Sequence, residues 1–269
     1  MNRNTLLIIL LTFLVNLLPY SSFADDSKIR CFTAGTGWAH ASFHDRSVSP
    51  LIYSGSQFAF TTGFVKRAPK VINEVQLGFM HGKLFSAQRE VLQAAVSNYR
   101  YEIDYSHRRR VWQDTSRNVR VFAGGSWNTL QMSRIHNLYS NSANSSRFVS
   151  SLAAQAYGEF GFGLFGRNFL LHAGIDIPFV SFAVRPSYSM AAAEGFIKGE
   201  DGLKAFFGSG KFYFPFAFRG LGSQAGLTWF LKNNNAIALE YRWDYFGLDD
   251  VNPVQEARHH LVLKAFFNF

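Results

Sequence analysis

Between Ile237 and Tyr245 the chain alternates without a break. Ile237, Leu239, Tyr241, Trp243 and Tyr245 share one face of an extended strand, and Ala238, Glu240, Arg242 and Asp244 share the other. Such a strand cannot sit in a soluble core, because its charges need partners and its aromatic residues need a dry neighbour. Lipid on one side and a polar or salt-bridged lumen on the other meets both needs.

The pattern recurs. Tyr99, Tyr101, Ile103 and Tyr105 oppose Arg100, Glu102, Asp104 and Ser106, and Leu261, Leu263, Ala265, Phe267 and Phe269 oppose His260, Val262, Lys264, Phe266 and Asn268. Further strands are expected at 56–65, 73–85, 119–130, 151–165, 169–184, 211–218 and 223–231, and more weakly at 30–42. Most reach the 9–11 or so residues of a tilted membrane strand. Phe accounts for 29 residues and Gly for 22, mean hydropathy is near zero, and no apolar run beyond the start is long enough for a spanning helix. The expected fold class is all-β, a transmembrane antiparallel up-and-down β-barrel.

Gly166-Arg167-Asn168, Gly220-Leu221-Gly222 and Asn233-Asn234-Asn235 read as tight turns, and 137–147, 191–208 and 247–257 as longer loops. Short and long connections then fail to alternate cleanly. A further strand within 184–208 would repair the parity, so about 12 strands are expected, with 10 as the alternative.

The chain opens like a secretory leader, with Arg3, an apolar run from Leu6 to Leu18 broken by Asn16, and small residues Ser21, Ser22 and Ala24. Residues 1–24 are read as a signal peptide cleaved after Ala24, and 25–269 as one barrel domain in the outer membrane. The single cysteine, Cys31, lies too far past that cut for lipid modification and makes no intramolecular disulfide.

The last strand, with Leu261, Leu263, Phe267 and Phe269 on one face, resembles the terminal strand that the barrel-assembly machinery recognises in outer-membrane proteins. The stretch 224–269 is similar to the tail of the lipid A 3-O-deacylases, through its Asn turn, Glu-Tyr-Arg strand and Asn252-Pro253 loop. That family carries a histidine and a serine two apart where this chain has Asp244-Tyr245-Phe246-Gly247. The resemblance implies a related barrel shape without that activity.

The formal net charge is +9. For an exported chain this points away from nucleic acid and towards outer-membrane lipid and lipopolysaccharide phosphates, with Arg108, Arg109, Arg110, Arg117 and Arg120 as possible phosphate contacts. No cofactor or metal motif occurs, and His259 and His260, being adjacent, point to opposite faces of a strand. His136, Ser140 and Asn144 share a polar stretch from which a hydrolase set can be drawn, by composition alone.

Arg100, Glu102, Asp104, Glu240, Arg242, Asp244 and Lys264 are expected to face the lumen. Their mixed signs suit cross-bore pairing better than a selective pore. The leading expectation is a non-catalytic barrel with a structural or surface-interaction role. A narrow channel for small polar solutes comes next, and a lipid-modifying hydrolase third.

Overall fold

The computed structural model describes residues 28–47, 49–86, 95–136, 144–185, 202–250 and 252–269. In chain order these form β1 (Ile29–Asp45), β2 (Ile52–Ala68), β3 (Val71–Ser86), β4 (Ala95–Asp114), β5 (Val119–His136), β6 (Asn144–Leu164) and β7 (Arg167–Val184). A short helix α1 (Gly202–Gly208) and strand β8 (Gly210–Tyr213) follow, then β9 (Phe218–Phe230), β10 (Ala236–Leu248) and β11 (Val254–Asn268).

Each strand pairs antiparallel with its neighbours, β7 passes to β9, and β1 pairs with β11 from Cys31↔Asn268 to Asp45↔Val254. The ring therefore closes with ten strands, and β8 stands outside it, paired to the end of β7. Closure follows from the solvent: in lipid an unpaired backbone group costs several kcal/mol, so a sheet edge cannot be left open.

The expectation of about 12 strands is corrected to ten by one misread segment. Gly220-Leu221-Gly222 is no turn but lies inside β9, and of the 211–218 strand only 211–213, in β8, and Phe218, which begins β9, are extended. With that turn removed the parity resolves. Connections 69–70, 115–118, 165–166 and 231–235 lie at one end with Lys28 and Phe269, and the strand ends Asp45, Ile52, Ser86, Ala95, His136, Asn144, Val184, Phe218, Leu248 and Val254 lie at the other. These are called here the turn end and the loop end. Asn118, Phe165, Gly166 and Asn234 take the positive φ angles that such tight turns demand. In the 115–118 turn Asp114 Oδ1 accepts hydrogen bonds from the backbone N–H groups of Ser116 and Arg117 and from the Ser116 hydroxyl.

The β9 glycines face inward, where side chains of β7 lean over them. A Cβ at Gly222 would lie 2.4 Å from an Asp176 carboxylate oxygen, and one at Gly226 would lie 2.6 Å from the His172 ring. The residues look like turn formers in sequence because close approach across a bore and a tight turn both select glycine.

The outer wall carries Phe58, Phe60, Leu77, Tyr101, Ile103, Leu171, Ile175, Leu239, Leu261 and Leu263, all exposed. Near the turn end Phe160, Phe162, Phe169 and Trp229 form a stacked row with centroids 5.7, 5.5 and 6.5 Å apart. Such an aromatic girdle suits a membrane interface. At the loop end the inner wall is apolar instead. Ala41, Phe43, Tyr53, Leu84 and Val96 pack on one side, and Leu130, Met132, Val149, Tyr213, Phe218, Leu248 and Val254 on the other.

Gly222→Val is expected to destabilise the barrel by about 1–3 kcal/mol through overpacking against Asp176. Gly158→Ala, whose added Cβ meets nothing within 4 Å, should stay within about 0.5 kcal/mol of the parent. Urea midpoints of protein folded in vesicles measure both.

Candidate functional site: the charged bore

Period two along β4, β10 and β11 sends every second side chain inward, so the charges interleaved with the lipid-facing aromatics converge inside the ring. All seven residues Arg100, Glu102, Asp104, Glu240, Arg242, Asp244 and Lys264 project into the bore. In the ring order β4 and β10 stand five places apart out of ten, directly opposite one another.

A single lattice of alternating sign crosses that gap. Asp104 accepts from Arg242 at 2.9 Å, and Arg242 also donates to Asp244 at 2.8 Å. Arg258 joins Asp244 at 2.7 Å to Glu102 at 2.6 Å. Arg100 links Glu102 at 2.5 Å to Glu256 at 2.7 Å, and Glu256 also accepts from Arg134. Arg258, at the centre, is only 1% exposed. Arg134 adds a bond to Asn98 Oδ1 at 3.0 Å and lies 3.6 Å over the Phe43 ring, tying the lattice to the apolar packing at the loop end. Nearby, Arg147 pairs with Asp45.

Towards the turn end lies a second tier. Lys264 donates to Glu240 at 2.6 Å and Gln76 at 2.9 Å, while Arg108 reaches Glu74 at 3.3 Å and Gln155 at 3.1 Å. A cavity of about 150 Å³ opens beside this tier, with Lys264, Glu240, Arg242 and His172 on its polar side and Ile29, Val65, Leu170 and Phe230 on its apolar side. Lowest of all, Arg67 and Arg120 share Glu159.

The five arginines read as possible phosphate contacts separate. Arg108 and Arg120 turn inward onto Glu74 and Glu159, and Arg110 is half-buried. Arg109 and Arg117 are exposed at the turn end, Arg117 lying 3.7 Å from Asp114. Leu261, Leu263, Phe267 and Phe269 line the outer wall.

His259 faces outward, its Nδ1 2.6 Å from the Tyr241 hydroxyl, and His260 faces inward, 3.8 Å from Asp244. Among the described residues no group of three or more His, Cys, Asp or Glu side chains is arranged to hold a metal. His136 is 3% exposed and packs edge-on against Tyr53, Ser140 lies outside the described residues, and Asn144 begins β6. Asp244 is held by Arg242 and Arg258.

Asp45, Glu74, Arg134, Glu256 and Arg258 complete the network and do not emerge from sequence reasoning. For Glu256 and Arg258 a signal existed, because the alternation of β11 continues upstream through His260 to Val254; the polar composition of 247–257 masked it.

Taking two charges out of water is expensive, and the cost is recovered only when every partner is in place. Removing one member leaves its neighbours charged and dry. Arg258→Met is therefore expected to cost about 3–5 kcal/mol, and Glu102→Gln combined with Arg258→Met less than the sum of the two single changes. A double-mutant cycle on unfolding midpoints reads the coupling.

No family profile and no curated protein matches this sequence. In three dimensions the chain is similar to the outer membrane protease OmpT from Escherichia coli, with a TM-score of 0.55 and 8% identity over 93% of this chain and 100% of that one. The transport unit of the autotransporter AIDA-I from Escherichia coli aligns at TM-score 0.46 and 10% identity over 97% of each chain. Neisserial surface protein A aligns at 0.41 and 13% over 88% of this chain and 97% of that one. What is shared at such identities is the fold, an outer-membrane β-barrel.

Proposed function

We propose that this outer-membrane barrel is closed and non-catalytic, with a structural role or one carried by its loop-end surface. The observation behind this reading is the Asp104–Arg242 pair, which joins opposite strands across the bore and is continuous with Asp244, Arg258, Glu102, Arg100, Glu256 and Arg134. An ion entering from the loop end meets an apolar layer and then a plane of mutually compensated charge. Neither gives it the continuous water file that conduction needs.

The cavity beside Lys264 and Glu240 supports a second reading, a narrow channel for small polar solutes, because the turn-end half of the bore already holds open space. Its limit is the lattice above it. The hydrolase expectation finds no comparable support among the described residues, where His136 is sealed against Tyr53. Lipid and lipopolysaccharide as surroundings, and the barrel-assembly machinery as a partner during insertion, accord with the apolar outer wall.

Planar-bilayer recording separates the two readings. The refolded parent is expected to be electrically silent, whereas Arg242→Ser with Arg258→Ser, which clears the centre of the bore, should give discrete steps. Steps in the parent that change on Arg242→Glu would overturn the closed reading in favour of the channel.

A further inference from the structure

Above the pair Asp176↔Gly222, strands β7 and β9 no longer bond to each other, and β8 takes up the freed end of β7 from Ser181 to Val184. Alternation along β8 then divides its side chains. Tyr213 turns inward, its hydroxyl donating to Asp250 at 2.9 Å, and Phe212 turns outward with 68% exposure. Phe212 packs on Phe182, with centroids 5.1 Å apart, and Phe207 of α1 packs on the same ring at 6.1 Å.

Phe182 and Phe212 form one bank of a groove on the outside of the wall, and Phe207 backs the Phe182 ring. Trp127 forms the other bank, 48% exposed and fixed by its indole N–H donating to Ser150 Oγ at 2.7 Å. Leu152 and Val180 are the floor, and the groove encloses about 270 Å³. Directly below it on β7 the exposed Ile175, Ile177 and Phe179 belong to the lipid-facing wall. The groove is thus a widening of a surface already in contact with acyl chains, bounded by rigid aromatic banks and almost without polar atoms.

We propose that this groove seats one acyl chain of a membrane lipid, and that β8 with α1 serves as its retaining bank. The site is independent of whether the bore is open, since all of it lies on the outer wall. A flat wall meets lipid that exchanges freely with its neighbours. A walled groove holds a chain along its length, and the bound chain displaces no hydrogen bond in doing so.

The test uses bromine quenching of tryptophan. Two full-length variants keep only Trp127 or only Trp38, an outward-facing tryptophan elsewhere on the wall, with the remaining tryptophans changed to Phe. Each is folded in detergent micelles and titrated with phosphatidylcholine carrying dibrominated acyl chains, and heated against unheated gel mobility checks folding.

Trp127 is expected to be quenched saturably at low lipid, several-fold more than Trp38. Phe212→Ser, which removes a bank, and Leu152→Ser, which roughens the floor, should each bring Trp127 down to the level of Trp38. Equal quenching of the two tryptophans, or folded variants that quench like the parent, would show exchangeable lipid around an ordinary wall and overturn the seat.

Discussion

Everything in this molecule rests on the need of backbone N–H and C=O groups for partners where there is no water. A sheet in lipid must return to its own first strand, and here Val254–Asn268 runs back along Cys31–Asp45 without a break. Once the ring is closed, each residue's place in the period-two alternation decides whether it meets lipid or the bore. Phe58 and Arg258 are both buried from water in the sense that matters to each, one by acyl chains and the other by carboxylates.

The interior then faces its own constraint. Ten strands enclose a space that side chains can fill, and this chain fills it in layers, with an apolar layer at the loop end, charges at the middle and a part-open region at the turn end. The middle layer tolerates so many ions because signs alternate along it, so that Arg100, Arg242 and Arg258 each lie between two carboxylates. Low dielectric strengthens each contact and makes each omission costly. The lattice is also geometrically demanding, since opposite strands supply its members, and it resists any change in the diameter of the ring.

Much of this was legible in the sequence. The run Ile237–Tyr245 showed the membrane strand and its two faces, because a pattern of period two is local and needs no knowledge of neighbours. The inward set on β4 and β10 could be named for the same reason. Which charges meet was not legible: Arg242 finds Asp104 only because β4 and β10 are opposite in a ring of ten, and that depends on the strand count. The count itself was obscured at Gly220 and Gly222, where residues that make room for Pro178 and Asp176 have the composition of a hairpin turn. Strand β1 was only faintly visible because Gly35, Gly37 and the alanines beside them dilute its alternation.

The row of bonds joining β7 to β9 covers eight residue pairs, against seventeen between β6 and β7. A ring under mechanical or thermal load parts along its shortest seam, so this one is the zipper's open end. Opening of the wall is expected to start there, with the amide protons that bond across this seam exchanging ahead of those on the long seams. The protein thus combines a bore cross-braced from β4 to β10 and β11 by its ion lattice with a single weak seam in its wall. A barrel closed by uniform pairing has no such polarity around its circumference.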